Sequence, residues 1–344
     1  MTELRQDITT GEWVVLTPNR ADRPRDIAPE VAAVESHSAG CPFCPSNEAL
    51  TPQEVATLAL PEGSVEWQVR IVPNLYPSYV PDFFEDAQLS LMEDGSSNDP
   101  LFPKKSADGF HEVVIETRHH SQVLTERTKQ EAEMLMLAYH LRHREMLSHP
   151  GVRAVHVIKN HGSLSGATMV HPHSQMYGTG HLPQALQNRI NVARRYFETH
   201  QRSLYADMVQ REKEIDQRVV LAGEGVTLLT PFAARWPYEL WLVPHDGMPS
   251  LAQAPEATIA EAGRMLQEAL RLLREVAGDC AYNYVIHSAD RQVAGHGFQW
   301  HIQVLPRVKK LAAYELGSGM VVNEVAPEET AWLFRQAIRG NGAK

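Results

Sequence analysis

The segment around which the rest of the chain is arranged is Lys159-Asn-His-Gly-Ser-Leu-Ser-Gly-Ala-Thr-Met-Val-His-Pro-His-Ser-Gln-Met-Tyr177. The apolar run before it predicts a strand, and its glycines predict a loop. In an extended segment alternate side chains share a face, so His171, His173 and Gln175 would point the same way. An isolated His-x-His is more often a pair of metal ligands or a solvated turn. Here the glycine loop, whose backbone N–H groups can approach phosphate oxygens, favours an imidazole nucleophile that acts on a phosphate.

The same segment resembles the active-site signature of the galactose-1-phosphate uridylyltransferase family, a branch of the histidine-triad superfamily. The shared pattern is Asn-x-Gly-x3-Gly-x-Thr-x2-His-Pro-His-x-Gln. The resemblance implies an α+β class, a duplicated histidine-triad-like fold with antiparallel sheets and packed helices. It also implies that His173 attacks the nucleotide α-phosphorus, and that Gln175 stands where the hydrolase branch has a third histidine. The motif residues expected to contact the phosphoryl oxygens are Asn160, Gly166, Ala167, Thr168 and Gln175.

Cys41 and Cys44 form a Cys-x2-Cys pair, a spacing typical of either a redox centre or half of a zinc site. A redox pair requires a strand–cysteine–helix setting, whereas this pair lies in a Pro-rich stretch, so we favour zinc. A structural zinc has four ligands and the chain has no second Cys-x2-Cys, so histidines must complete the site. The resemblance supplies His120 and His171. His120 is preferred over the adjacent His119 because a serine follows it, as in the family.

Further ligand contacts follow from the resemblance. Taken alone, two arginines three positions apart are usually solvated charge, and the basic segment after Pro306 would be only a strand end. In the family, an Arg-x2-Arg-Pro near the start reaches the nucleotide diphosphate, an asparagine contacts the nucleotide, and a lysine with a Tyr-Glu pair binds the sugar phosphate. The matching residues are Arg20, Arg23, Asn74, Lys309, Tyr314 and Glu315.

Hydrophobic patterning predicts the same order of elements twice along the chain. In the first copy, helix 125–146 lies between strand 110–116 and a strand at 155–158; in the second, helix 256–276 is flanked in the same way. We therefore expect an N-terminal domain at 1–183, with the zinc site and the His-Pro-His, and a degenerate C-terminal domain at 184–344, with the sugar-phosphate segment. Because the second copy lacks a glycine loop of this form, only the first is expected to be catalytic.

A second metal site between the copies is present in some members of that family. This chain keeps two of its histidines, His287 and His301. Gln303 and Arg189 stand where the other two ligands would be, so we expect this second site to be absent.

Composition limits the cellular setting of the protein. The chain has 344 residues, 43% of them hydrophobic, and a formal charge of −10. The charge argues against general nucleic-acid binding but permits a small anionic ligand. No apolar run approaches the roughly 20 residues that span a bilayer, no signal peptide is evident, and three cysteines do not make a disulfide framework. We therefore expect no membrane partner and a cytoplasmic location, and the resemblance adds a homodimer.

The leading hypothesis is a nucleotidyltransferase that exchanges hexose 1-phosphates on UDP. UDP-glucose and galactose 1-phosphate would give UDP-galactose and glucose 1-phosphate by a ping-pong mechanism through uridylyl-His173. The alternative is an adenylyl-transferring phosphorylase that uses the same histidine on ADP-glucose or a dinucleoside polyphosphate. A non-catalytic, zinc-stabilised nucleotide sensor is disfavoured because the nucleophile and its loop are intact. A hydrolase is disfavoured by Gln175, since an amide cannot serve as a general acid or base.

Overall fold

A computed structural model of the chain describes residues 2–18, 40–59, 66–81, 101–104 and 106–342. Arg20 and Arg23 lie outside the described residues, as does most of the segment 80–108 that the sequence predicts to be a loop.

The described residues form thirteen strands and seven helices. The strands are β1 Glu3–Gln6, β2 Trp13–Leu16, β3 Ala56–Leu58, β4 Val69–Pro73, β5 Gly109–Ile115, β6 Ala154–His161, β7 His173–Thr179, β8 Val219–Ala222, β9 Val226–Leu229, β10 Leu240–Pro244, β11 Tyr282–His287, β12 His301–Pro306 and β13 Val322–Asn323. The helices are α1 Lys129–Leu147, α2 Gln184–His200, α3 Leu204–Ile215, α4 Glu256–Ala277, α5 Arg291–Ala294, α6 Ala313–Ser318 and α7 Pro327–Gly342.

Ten of these strands make one continuous sheet in the order β3-β4-β5-β7-β6-β11-β12-β10-β9-β8. Counted from either edge toward the centre, each half presents its own strands in the same sequence: first, second, third, fifth, fourth. The two halves join where β6 runs antiparallel to β11, with Asn160 opposite Asn283. The duplicated, antiparallel α+β fold expected from the sequence is therefore confirmed.

One face of the sheet is covered by α1, α4 and α7, which enclose the largest hydrophobic core. The side chain of Thr128 accepts a hydrogen bond from the backbone of Glu131, and the Glu131 side chain accepts from the Thr128 backbone. This capping box makes α1 begin at Lys129, four residues later than predicted. Helices α1 and α4 cross closely at Gly263, where a Cβ would lie 2.5 Å from the carbonyl oxygen of Ala132. A larger residue at position 263 would push apart the two helices, which pack on the sheet.

The opposite face is covered differently in the two halves. Over the second half, α2 and α3 pack through Ile190 and Tyr205 against Trp241 in a separate core. Over the first half, the loop containing Cys41 and Cys44 packs on β4 and β5. The strip of β5, β7 and β6 beside this loop carries the side chains described below.

A small sheet of β1, β2 and β13 packs the N-terminus onto the second half, where the Arg5 guanidinium lies 2.8 Å from a carboxylate oxygen of Glu328. The division of the chain at residue 183 stays a prediction. Within the part of the chain that the structure describes, no helix is both long enough and apolar enough to cross a lipid bilayer.

Candidate active site and metal centre

Cys41, Cys44, His120 and His171 place four potential metal-binding atoms within 4.8 Å of one another. Cys44 Sγ lies 3.3 Å from His120 Nδ1 and 3.6 Å from His171 Nδ1, and Cys41 Sγ lies 3.7 Å from His171 Nδ1. Tetrahedral zinc bonds of about 2.0–2.3 Å place neighbouring donor atoms about 3.6 Å apart. The structure therefore brings the four predicted ligands together in the geometry of a metal site, while His119 is exposed.

The second ring nitrogen of His171 fixes how this residue faces the cysteines. Its Nε2 donates to the carbonyl oxygen of Thr117 at 2.8 Å, which leaves Nδ1 unprotonated toward the two sulfurs. Burial lowers the pKa of His171 to about 4, so the ring is neutral and available as a ligand near pH 7. Phe43, inside the Cys-x2-Cys loop, packs 5.3 Å from the ring of His173. The metal centre and the candidate nucleophile therefore belong to one packed unit.

His173 is the first residue of β7 and is only partly buried. Its Nδ1 lies 2.9 Å from the carbonyl oxygen of His171; since a carbonyl can only accept, Nδ1 carries the proton. Nε2 is then the unprotonated nitrogen, and among the described residues no side chain forms a hydrogen bond with it. Burial, reinforced by the charge of Lys159, lowers the pKa of His173 and keeps the ring neutral. This geometry leaves Nε2 with a lone pair that could attack an electrophile.

Gln175 shares a face with His173 and is held by a residue that the sequence did not single out, His111. The backbone N–H of Ser78 points at His111 Nδ1 at 2.9 Å, so Nε2 carries the proton and donates to Gln175 Oε1 at 2.7 Å. Tyr177 Oη donates to the same oxygen at 3.0 Å. Both contacts occupy the amide oxygen, so the amide N–H2 of Gln175 is the end left to donate to a ligand.

Asn74 is brought to the same place. Its Nδ2 lies 3.0 Å from His111 Nε2, and its Oδ1 accepts from the backbone N–H of Tyr76 at 2.8 Å. The predicted nucleotide contact Asn74 thus lies against His111, the residue that holds Gln175.

The glycine loop lies beyond the end of β6. Gly162 and Gly166 have φ angles of 78° and 87° on either side of a single 3-10 turn, and a Cβ on Gly162 would lie 2.8 Å from the Cβ of Ala281. The predicted loop residues Gly166 and Thr168 are exposed and Ala167 is partly exposed, so this backbone is open to a ligand. The loop geometry therefore requires glycine, and the loop exposes backbone groups where the chain passes from β6 to β7.

The predicted sugar-phosphate residues lie together after β12. Lys309 Nζ is 2.7 Å from Glu315 Oε1, and the other Glu315 oxygen accepts from the backbone N–H of Ala312 at 2.6 Å. The Tyr314 side chain is 56% exposed. Within the described ranges, no hydrogen bond or ion pair joins these three residues to His173.

A buried charge network, also missed from the sequence, underlies β7 on the helix side of the sheet. Glu116 accepts from Lys159 Nζ at 2.8 Å and lies 3.3 Å from Arg127. Burial alone would raise the pKa of this carboxyl, but the two cations lower it below its ordinary value. Tyr139 Oη lies 3.4 Å from Glu116 and 2.6 Å from Ser174 Oγ, which links the network to the strand that carries His173.

In the second half of the sheet, the position that corresponds to His173 is not accessible to a ligand. His287 Nε2 lies 2.9 Å from Gln303 Oε1, and His301 is fully buried. The guanidinium of Arg189 packs 5.5 Å from the Trp241 ring, and its charge adds to the effect of burial in lowering the pKa values of both histidines. A guanidinium has no lone pair to offer a metal, so the absence of a second metal stays our prediction.

Comparison with known proteins places this chain in a family. Residues 1–183 match the model of the family described as galactose-1-phosphate uridyl transferase, N-terminal domain. The chain is 28% identical over 340 residues to ADP-glucose phosphorylase from Arabidopsis thaliana, covering 97% of this chain and 92% of the relative. It is 26% identical over 345 residues to galactose-1-phosphate uridylyltransferase from Thermotoga maritima, covering 98% of each. The crystal structure of the Arabidopsis ADP-glucose phosphorylase with bound ADP-glucose has a TM-score of 0.81 at 26% identity, over 97% of this chain and 99% of that one. The chain belongs to the galactose-1-phosphate uridylyltransferase family.

Proposed function

We propose that this enzyme is a nucleotidyltransferase that passes a nucleoside monophosphate group from a nucleotide sugar to a phosphate-bearing acceptor through His173. The observation that carries the proposal is the contact between His173 Nδ1 and the His171 carbonyl, because it leaves Nε2 unprotonated on the strand that follows the glycine loop. Membership of the family supports the same chemistry.

In the first half-reaction, Nε2 of His173 attacks the α-phosphorus and the bond to the sugar phosphate breaks. The sugar phosphate takes the electron pair and leaves as an anion, so no proton need be supplied. In the second half-reaction, a phosphate oxygen of the acceptor attacks the same phosphorus and His173 leaves. The amide N–H2 groups of Gln175 and Asn160 and the backbone of residues 166–168 would donate to the phosphoryl oxygens.

The metal centre has a structural role in this proposal. Zinc bound by Cys41, Cys44, His120 and His171 would fix the Cys-x2-Cys loop against β7 and so hold His173 in place. Arg20, Arg23 and Asn74 would bind the nucleotide, and Lys309, Tyr314 and Glu315 the sugar phosphate. A homodimer and a cytoplasmic location remain expectations from the sequence.

Two donor and acceptor pairs fit this chemistry. The family's own activity supports UDP-glucose as donor with galactose 1-phosphate as acceptor. The similarity over nearly the whole chain to a protein named ADP-glucose phosphorylase supports ADP-glucose as donor with inorganic phosphate as acceptor.

A labelled-exchange panel separates them. Purified protein is incubated with UDP-glucose or ADP-glucose and with radiolabelled glucose 1-phosphate, galactose 1-phosphate or inorganic phosphate. Label should enter the nucleotide sugar, or the nucleoside diphosphate when phosphate is the acceptor, for one base in strong preference to the other. Absence of exchange with every pair would contradict a nucleotidyltransferase.

A further inference from the structure

Arg307 occupies an unusual setting directly after β12 of the second half. Its guanidinium stacks 4.3 Å from the centre of the Trp236 ring, and its Nε donates to Asn283 Oδ1 at 2.6 Å. Its backbone N–H donates to the carbonyl oxygen of Ala281 at 2.7 Å. The side chain is therefore held in one orientation although it is only partly buried.

Through Asn283, Arg307 also orients a residue of the first half. Because Asn283 Oδ1 accepts from Arg307, its Nδ2 faces Asn160 Oδ1 at 2.6 Å and the carbonyl oxygen of Ser165 at 3.0 Å. Asn160 Oδ1 is then an acceptor, so its own N–H2 is the end left for a ligand. One hydrogen-bonded chain thus runs from the second half to the glycine loop of the first.

The register of the sheet places this chain close to the nucleophile. Lys159 pairs with Ser174, so Asn160 stands level with His173, and Asn283 lies opposite Asn160 on the next strand. Two strand spacings amount to about 10 Å. Arg307 follows β12, one strand farther, but its Nε reaches back to Asn283 Oδ1 at 2.6 Å. A nucleotide whose α-phosphorus touches His173 and whose next phosphate points toward β11 would bring that phosphate toward the Arg307 guanidinium.

The charge of Arg307 is not compensated by the protein. Burial is the cause that lowers its pKa, and no acidic side chain of the described residues forms an ion pair with it. The nearby cations differ: Lys309 is paired with Glu315, and Arg235 with Glu12 at 2.6 Å. A rigid guanidinium with free N–H groups and no carboxylate partner suits the geometry of a phosphate.

We propose that Arg307 binds the phosphate that leaves with the sugar in the first half-reaction and arrives with the acceptor in the second. The second half of the chain would then supply a cation to the site on the first. This inference rests on the proposed role of His173.

The test separates transfer to a phosphate from transfer to water in Arg307→Gln, with Arg235→Gln as a matched control. Nucleotidyl-enzyme is formed and isolated, and its decay is followed with and without acceptor. We expect the KM for the acceptor to rise roughly ten- to a hundredfold in Arg307→Gln, the range for a lost hydrogen bond to a charged group. Decay in water alone should match that of the wild type, and Arg307→Lys should recover part of the acceptor affinity. If decay in water slows as much as transfer, or if the acceptor KM is unchanged, Arg307 does not bind the acceptor phosphate.

A binding measurement keeps this inference distinct from the proposed function. Calorimetric titration of unreacted protein with glucose 1-phosphate or inorganic phosphate should show affinity that Arg307→Gln loses and Arg235→Gln retains. A wild type that forms no covalent adduct would contradict the role of His173, whatever the titration gives. Equal phosphate affinity in wild type and Arg307→Gln would contradict the role of Arg307, whether or not the adduct forms.

Discussion

His173 and His301 occupy the same position in the two halves of the sheet. Each is the first residue of the last strand of its half, and each is followed two positions later by a glutamine. The Nδ1 atom of each ring donates to the carbonyl oxygen two residues earlier, at 2.9 Å for His173 and 3.0 Å for His301. The two halves therefore share the hydrogen bond to a backbone carbonyl that fixes the imidazole tautomer.

The two imidazole rings differ in how far neighbouring residues bury them. His301 is fully buried between Trp241, 5.2 Å away, and Tyr205 of α3, 5.0 Å away. In both halves a histidine contacts the amide oxygen of the glutamine, His111 for Gln175 and His287 for Gln303. In the second half, however, the amide nitrogen of Gln303 also donates to the buried carboxylate of Glu239 at 2.7 Å, whereas no described side chain accepts from the amide nitrogen of Gln175. Burial and the additional amide contact make His301 a core residue, whereas His173 remains open to the nucleophilic role that we propose for it.

This contrast predicts which histidine becomes covalently modified. Incubation with the preferred nucleotide sugar alone should add the mass of one nucleoside monophosphate to the protein, as an acid-labile adduct detected by mass spectrometry. His173→Ala should form none. His301→Gln should retain the adduct but melt at a lower temperature, since it alters a buried position. An adduct of normal stoichiometry in His173→Ala would rule out the mechanism.

The candidate metal site formed by two cysteines and two histidines predicts linked losses of zinc and stability. Elemental analysis should find about one zinc per chain, as expected for a single four-ligand site. Cys44→Ser should lose metal and melt at a lower temperature, because binding to a preformed site stabilises the fold. Cys280→Ser is the matched control, since this third cysteine is outside the cluster, and it should retain both. Full zinc content in Cys44→Ser would remove that residue from the ligand set.

Two histidines, the buried His143 and the partly buried His156, predict a stability that falls in mild acid. Burial, with smaller contributions from His156 and His140, lowers the pKa of His143 to about 3, and burial lowers that of His156 to about 4. Between pH 6.5 and these values the unfolded chain binds protons that the folded chain does not. Stability is therefore fully present above about pH 6.5 and lost as the pH falls, by up to about 1.4 kcal/mol per pH unit for each histidine.

Denaturant unfolding at pH 6.5, 5.5 and 4.5 measures this slope. His143→Gln should flatten it relative to wild type, whereas the same change at the exposed His200 should not. Identical slopes in all three proteins would mean that His143 does not contribute.

The sequence predicted those parts of the site whose residues lie close together or carry a recognisable spacing. His171, His173 and Gln175 fall in one short segment, and the Cys-x2-Cys pair indicates a metal without any tertiary information. His111 was missed because, in a β-branched strand, it has no feature beyond period-two alternation. Its role depends on β5 pairing with β7, in the register that sets His111 against Tyr177.

The contacts between the two halves could not be predicted from the sequence either. Asn283 and Arg307 become part of the site because β11 pairs with β6, and strand order in a ten-stranded sheet is set by non-local pairing. The family resemblance predicts that Lys309 and Glu315 both contact the ligand, but it does not predict the ion pair between them.

The position of His111 predicts that it acts through Gln175. The rings of His111 and Tyr177 stack with their centroids 4.1 Å apart. His111→Phe keeps an aromatic ring at this position but removes the N–H that fixes the amide oxygen of Gln175. The amide of Gln175 can then turn, so we expect kcat to fall by roughly tenfold, less than the 10²- to 10³-fold typical when an oxyanion donor itself is lost. The KM for the nucleotide sugar should stay close to that of the wild type. Steady-state kinetics measure both, and an unchanged kcat would contradict a positioning role.

Tyr177→Phe is the matched control, because it removes the other donor to the same oxygen, at 3.0 Å, and leaves His111 in place. We expect it to lower kcat less than His111→Phe does. If the two variants are equally impaired, the orientation of Gln175 depends on both donors together and not on His111 in particular.

Gln175 itself predicts how the enzyme divides the nucleotidyl group between acceptor and water. An amide has no titratable proton, so it cannot help water to attack the nucleotidyl-histidine, whereas an acceptor phosphate is already an anionic nucleophile and needs no such help. The wild type should therefore release nucleoside monophosphate very slowly without an acceptor. Gln175→His should lose transfer rate, because the amide hydrogen bond to the phosphoryl oxygen disappears, while hydrolysis falls less or rises. The ratio of nucleoside monophosphate released to nucleotide product formed, both measured in one reaction, should therefore increase. A wild type that hydrolyses its nucleotide sugar freely without acceptor would instead indicate the hydrolase chemistry that Gln175 argues against.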